Sequence, residues 1–172
     1  MAVKQILTEP NKFLRQISKP VEKVGDEERK LMDDMLDTMY AAPGIGLAAI
    51  QIGIPKRIIV IDISRDKNKK EPLYFVNPVI KNKNENKSRY EEGCLSVPDQ
   101  FAEIERPKTC EVEYLDYYGK KQILKAEGLL ATCIQHEIDH LEGILFIDYL
   151  SKLKKSMIIK KLSKFKSKRI IV

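Results

Sequence analysis

Residues 26–41 carry apolar side chains at Leu31, Met32, Met35, Leu36 and Met39, spacings that put them on one face of a helix. Asp26 reads as its N-cap and Pro43-Gly44 as its stop. A methionine-rich stripe of this kind predicts core packing. From residue 56 the period shortens. Arg57–Ile63 and Leu73–Ile80 are β-branched, apolar runs, and Pro78 marks the second as an edge or a bulge. The stretch KNKNENKS that follows reads as a solvated, mobile turn. Cys110, Val112 and Tyr114 alternate with Glu111, Glu113 and Leu115, the period of a half-exposed strand, and Tyr118-Gly119 turns into a partner around Gln122–Lys125. A second helix starts near Glu127-Gly128, runs through LLATCIQHEIDHLE and stops at Gly143. Ser151 caps a third, with Leu153, Met157, Ile158 and Leu162 set among lysines. The prediction is an α+β fold: antiparallel β-sheets around one central apolar helix, with an N-terminal helix and a basic C-terminal helix.

A chain of 172 residues, 43% hydrophobic and 33% charged, fits one ordinary domain with a real core. It is too apolar for a disordered chain and has no glycine period. No apolar run approaches the roughly 20 residues of a membrane span. The opening MAVKQILTEP has no apolar stretch before a small-residue cleavage site, so neither a signal peptide nor an organellar targeting peptide is expected. Three cysteines, Cys94, Cys110 and Cys133, do not make a disulfide framework, and a reducing cytoplasm, most simply bacterial, is expected. The net charge of +6 is unevenly held. Residues 152–172 contain nine Lys/Arg and no acid, which leaves 22 basic against 25 acidic residues elsewhere, a net of −3. The expected organisation is a mildly acidic body over 1–151, the part in which any catalytic domain would lie, and a basic C-terminal helix over 152–172.

The chemistry of the second helix centres on His136-Glu137-Ile138-Asp139-His140. Histidines at i and i+4 lie about 40° apart around a helix axis, so both imidazoles reach one ion. The glutamate between them can face a metal-bound water as general base. The chain's only two histidines occupy this motif, and the flanking Leu129, Leu130, Cys133, Ile134, Ile138 and Leu141 are apolar. Two surface histidines matching by chance would not be so framed. A catalytic metal needs a third protein ligand and an open position. Phe146 stands where a metzincin would carry its third His, and no acid follows Tyr149 on a later helix. Cysteines remain. Cys110 belongs to a strand face and Cys133 lies one turn before His136. Cys94 sits in Glu91-Glu92-Gly93-Cys94-Leu95-Ser96-Val97-Pro98, a loop in which Gly93 permits close backbone approach and Pro98 ends any strand. Cys94 and Cys133 are both open as ligands on these grounds, with Cys94 ahead.

Gly44-Ile45-Gly46-Leu47-Ala48-Ala49 fits the dinucleotide pattern G-x-G-x-x-G/A, with Asp66 downstream. A helix instead of a strand precedes it, and Gly53-Ile54-Pro55 leaves no space for a helix after it, so a Rossmann site is rejected. The alternative is a tight loop that brings backbone and Gln51 against a ligand.

Gly44–Gln51, Glu92-Gly93-Cys94-Leu95-Ser96 and His136–His140 resemble, in order and complete, the three signature motifs of peptide deformylases; the similarity runs from LRQISKPV to FIDYL. The resemblance implies Cys94, His136 and His140 as metal ligands and Glu137 as the base acting on a metal-bound water. It implies Gln51 and the Leu95 N–H as oxyanion donors, and Ile45, Gly46, Tyr90, Leu129 and Cys133 along the substrate, with Cys133 as pocket wall instead of ligand. It further implies Fe(2+), replaceable by Zn2+ or Ni2+, and a reaction that removes the formyl group from the formyl-methionine of new polypeptides and releases formate. Some relatives carry a basic residue at the place of Phe101, so no charged peptide clamp is expected there, and Arg106 is only a candidate for one. Relatives also suggest docking of the basic tail on the ribosome or its RNA; a solvated helix is the plain alternative. No DNA and no membrane are expected as partners. The competing functions are an HExxH zinc endopeptidase and a ribosome- or RNA-binding protein with a structural metal site.

Overall fold

The computed structural model of the chain describes the backbone of residues 2–171 and the side chains of residues 2–164. Helix α1 (Asp26–Ala41) is followed by strands β1 (Gly46–Ala48) and β2 (Ile58–Ile61), joined by a 3₁₀ turn at Ala49–Ile52. Strands β3 (Leu73–Lys83), β4 (Lys87–Cys94), β5 (Val97–Pro107), β6 (Thr109–Leu115) and β7 (Lys121–Glu127) precede helices α2 (Gly128–Leu141) and α3 (Lys152–Ile171). One five-stranded sheet has the order β1-β2-β3-β6-β7, and β4-β5 form a separate ribbon. Every strand pair is antiparallel. The predicted α+β architecture is the one observed.

Strand alternation puts α1 and α2 on opposite faces of the larger sheet. On β2, Ile58 and Val60 pack with Met32, Met35 and Met39 of α1, whereas Ile59 and Ile61 pack with Ala131, Ile134 and Leu141 of α2. All four β2 residues are fully buried, the reason that segment reads as an unbroken apolar run. A third cluster joins Val97 and Ile104 of β5 to Leu145, Phe146 and Ile147 and to Ile158 and Leu162 of α3.

Several boundaries differ from the sequence expectations. Gly25, not Asp26, is the N-cap of α1; its N–H donates to the Glu28 carboxylate at 3.0 Å. The KNKNENKS turn is only three residues long, because β3 runs to Lys83 and β4 starts at Lys87. There the backbone pairs while polar side chains face solvent, so no apolar alternation advertised a strand. Pro78 does lie at a bulge: the β3–β6 register shifts between Val76 and Val79. Asn77 there has φ +51° and exchanges two hydrogen bonds of 2.8 Å with the Val21 backbone. Pro98 does not end a strand but is the second residue of β5. Ile158 and Leu162 seat α3, while Leu153 and Met157 are exposed, so the predicted stripe is half seated. The expected lysine-rich face beyond residue 164 lies outside the described side chains. No helix among the described residues is long and apolar enough to cross a membrane.

Candidate metal and active site

The sequence of α2 makes it a buried helix with polar side chains at chosen positions. Ala131 through Glu137, His140 and Leu141 are all buried. Gly143 ends the helix with φ +73°, and a Cβ on it would lie 2.4 Å from the Arg15 carbonyl oxygen, so no other residue fits that turn without strain. His136 and His140 project from consecutive turns, their rings 5.1 Å apart. Cys94 meets them from the end of β4, where the β4–β5 register breaks between Gly93 and Cys94. One ligand atom from each of Cys94, His136 and His140 lies within 4.8 Å of the others, and the Cys94 Sγ to His140 Nε2 distance is 3.3 Å. Cys133 and Cys110 are not in this group. Burial pushes the Cys133 thiol up to about 12 and raises that of Cys110, so neither offers a thiolate near neutrality.

The histidine beside Cys94 is held from behind by a buried charge network. His136 Nδ1–H donates to Glu92 Oε1 at 2.9 Å, which leaves Nε2 as its free donor atom. Arg106 binds both Glu92 oxygens, at 2.7 and 3.0 Å, and Asp139 at 2.8 Å. Tyr149 O–H donates to the same Asp139 oxygen at 2.7 Å. Burial alone would push the Glu92 carboxyl up; the hydrogen bonds from His136 and Arg106 outweigh it and hold it below its ordinary value. Burial would likewise depress His136, but Cys94, Glu92 and Glu137 raise it well above the usual imidazole value. Burial, then the charge of His136 and Arg106, drives His140 well below it. Arg106, 4% exposed, is therefore internal and not a peptide clamp. Sequence reading missed Glu92 and Asp139 as partners, although both stand inside the motifs; their signal was an acid within two residues of an expected ligand.

Glu137 lies beside His136, its Oε1 3.9 Å from His136 Nε2. Its other oxygen, Oε2, is buried without a hydrogen-bond partner among the described residues. Burial is the largest influence and, with Glu92 nearby and against the pull of His136, pushes the carboxyl up to about 7. An unpartnered carboxylate oxygen costs free energy in a buried site. A divalent ion and its water at the Cys94-His136-His140 cluster would satisfy it, and two imidazoles with one sulfur are a fitting donor set. The residues present fit a metal.

Gln51 faces the same place. Its Oε1 accepts from Ala48 N–H at 2.9 Å, which fixes the amide so that Nε2 points to Ser96 Oγ at 2.9 Å and Cys94 Sγ at 3.5 Å. Gly46 borders Glu137: a Cβ there would lie 2.5 Å from Glu137 Oε1. A cavity of about 610 Å³ opens onto this cluster. Ile45, Gly46, Gln51, Tyr90, Leu95 and Leu129 line it, as do Cys133, His136 and Glu137. The structure thus brings every residue singled out for metal, catalysis or substrate to one place; Leu129 also packs against the core.

Comparison with known proteins agrees with this arrangement. A family model described as polypeptide deformylase matches residues 3–156. The chain is 87% identical over 172 residues, the full length of both, to the peptide deformylase of Pelagibacter ubique (strain HTCC1062). Its fold is similar to a crystal structure of peptide deformylase from Ehrlichia chaffeensis, with a TM-score of 0.91 and 44% identity over 96% of this chain and 97% of that one. It is also similar to a Met-Ala-Ser-bound peptide deformylase from Acinetobacter baumannii, with a TM-score of 0.82 and 32% identity over 87% and 99% of the two chains. Neither the endopeptidase nor the structural-metal alternative is favoured by these likenesses. With residues 3–156 matched and relatives alike over its whole length, the chain belongs to the polypeptide deformylase family.

Proposed function

We propose that the enzyme hydrolyses the formamide at the N-terminal formyl-methionine of newly made polypeptides and releases formate. The observation that carries this reading is the convergence of Cys94, His136 and His140 within 4.8 Å, with the unpartnered Glu137 Oε2 beside them. Cys94 Sγ, His136 Nε2 and His140 Nε2 would hold a divalent metal, Fe(2+) in the native enzyme, with Zn2+ or Ni2+ able to replace it. Such an ion supplies Lewis acidity that makes water a usable nucleophile near neutral pH. Glu137 Oε2 takes the proton of the attacking water and later delivers it to the departing amine nitrogen. Gln51 Nε2 donates one hydrogen to Ser96 and directs the other at Cys94 Sγ; with substrate in place this second hydrogen would turn to the carbonyl oxygen, joined there by the Leu95 backbone N–H. The methionine side chain enters between Tyr90, Leu129 and Cys133, and the peptide follows Gly46 and Ile45. The protonated Cys133 thiol serves there as a small apolar wall. The Met-Ala-Ser ligand of the Acinetobacter baumannii relative is what such a reaction would leave.

The cytoplasm, where nascent chains emerge, is the proposed location. Exposed Lys152, Lys160, Lys161 and Lys164 on α3 support docking to ribosomal RNA, which would set the enzyme beside its substrate.

The test is anaerobic incubation of the Fe(2+)- or Ni2+-loaded protein with formyl-Met-Ala-Ser, unformylated Met-Ala-Ser and a folded protein. Formate is expected from the first and no cleavage of the others. Peptide-bond cleavage without formate would overturn the reading in favour of an endopeptidase.

A further inference from the structure

Residues 2–8 form neither helix nor strand, yet backbone N–H groups pin this segment and the next residue to three parts of the molecule. Two hold it to α1: Ala2 N–H donates to Asp34 Oδ1 and Lys4 N–H to Thr38 Oγ1, each at 2.8 Å. The other two reach the active site. Leu7 N–H donates to the Gln51 carbonyl at 2.7 Å, and Glu9 N–H to the Ser96 carbonyl at 2.8 Å. Both acceptor residues are buried and lie in irregular backbone, Gln51 in the 3₁₀ turn after β1 and Ser96 in the turn between β4 and β5. Neither turn belongs to a strand ladder that would hold it. Their side chains also meet, Gln51 Nε2 donating to Ser96 Oγ at 2.9 Å. Leu7, Thr8, Glu9, Ser96 and Gln51 thus close a ring. It contains the Gln51 amide and abuts Leu95, the residue before Ser96. The ring is referred to the histidine helix as well: the Glu9 carboxylate pairs with Arg15 at 3.4 Å, and Arg15 donates to the Gly143 carbonyl, just past α2, at 3.2 Å.

We propose that Leu7 and Glu9 are positioning residues for the reaction, their backbone N–H groups holding the Gln51 amide and the Leu95 N–H in place against the metal ligands of α2. Neither residue lines the cavity, so each acts through the turn it holds. This rests on the deformylase reading, which makes those two groups the donors to the carbonyl oxygen. A donor displaced by about 1 Å loses much of its hold on the charge that develops in the transition state. It changes the binding of the uncharged ground state far less, so the loss falls on kcat.

The experiment measures kcat and KM for formyl-Met-Ala-Ser in wild type, Leu7→Pro and Leu7→Ala, alone and combined with Gln51→Ala. Leu7→Pro deletes the N–H that Gln51 accepts, whereas Leu7→Ala trims the side chain and keeps that donor. A further variant carries the α-hydroxy acid analogue of leucine at position 7, which puts an ester oxygen in place of the N–H and leaves the side chain whole. It forfeits a single hydrogen bond, a small part of a domain's stability, and takes the place of Leu7→Pro if that chain does not fold. Metal content and calorimetric binding of Met-Ala-Ser accompany the kinetics. Loss of the N–H is expected to lower kcat about 30-fold, with KM and product binding within about twofold of wild type and the metal content unchanged. Leu7→Ala is expected to lose no more than about threefold, and in the Gln51→Ala background removal of the N–H should cost about threefold or less, since the group it positions is gone. Wild-type kcat without the N–H, an equal loss in Leu7→Ala, a loss confined to KM, or the full effect persisting beside Gln51→Ala would overturn the proposal while leaving deformylation intact. No formate from the wild-type protein would overturn the deformylase reading and this proposal with it.

Discussion

Gly46 has so little room beside Glu137 that, on the proposed mechanism, its missing side chain is a catalytic requirement. An alanine Cβ there would sit 2.5 Å from Glu137 Oε1, and the carboxylate, the end of a side chain, would give way sooner than the backbone. Gly46→Ala is therefore expected to reduce turnover by about 10²-fold, the scale of a misplaced catalytic group, while the melting temperature moves by only a few degrees. Steady-state kinetics beside calorimetric melting checks the split; equal loss of stability and activity would mean a folding defect. The sequence made the residue types plain here. Two histidines and a glutamate at fixed helical spacing state their chemistry wherever the helix lies. The choice between Cys94 and Cys133 was not legible by spacing. It depends on burial, which keeps the Cys133 thiol protonated, and on a register break that aims Cys94 inward.

At the scale of elements, α2 and β2 were readable because burial on several sides leaves a continuous apolar signature, as in Ile58–Ile61. The β4-β5 ribbon was not, since its charged outer face and proline mask the alternation, and the backbone pairing that makes it a ribbon has no side-chain signature. The segments after α2 are tied by charge. Asp148 accepts from Arg15 at 2.6 Å and pairs with Lys155 of α3 at 2.7 Å. Burial works to raise this carboxyl, but Arg15 and Lys155 outweigh it and hold it below its ordinary 3.8. A carboxyl lowered on folding adds stability that is present above the unfolded value and lost as pH falls through the folded one. Wild-type stability should therefore decline from about pH 4 downward. Asp148→Asn should be less stable at pH 7 and decline less steeply in that acid window, as read from urea midpoints at successive pH values. Parallel curves for the two proteins would exclude this contribution.

For the whole molecule, the division of charge first visible in the sequence has a physical form. The net +6 comes from the C-terminal stretch while the remaining residues net −3. Helix α3 is nevertheless joined to the body, with Ile158 and Leu162 buried against Val97, Ile104 and Phe146. Deleting it would uncover that cluster and confuse stability with docking. Changing Lys152, Lys160, Lys161 and Lys164 to Glu keeps the seat and reverses the exposed charge. This variant is expected to lose about tenfold or more in low-salt ribosome co-sedimentation, as counterion release from several phosphates is forfeited, and to deformylate short peptides at the wild-type rate. Unchanged co-sedimentation would remove the docking proposal.

The proposed deformylation depends on Glu137 being the base beside a metal held by Cys94, His136 and His140. Glu137→Gln preserves the size of the side chain and leaves all three of those residues unchanged. The decisive measurement is formate release from formyl-Met-Ala-Ser per bound metal in this variant, prepared anaerobically. The account predicts metal bound as in wild type and turnover reduced by about 10³-fold or more. Turnover at the wild-type rate with the same metal content would contradict it.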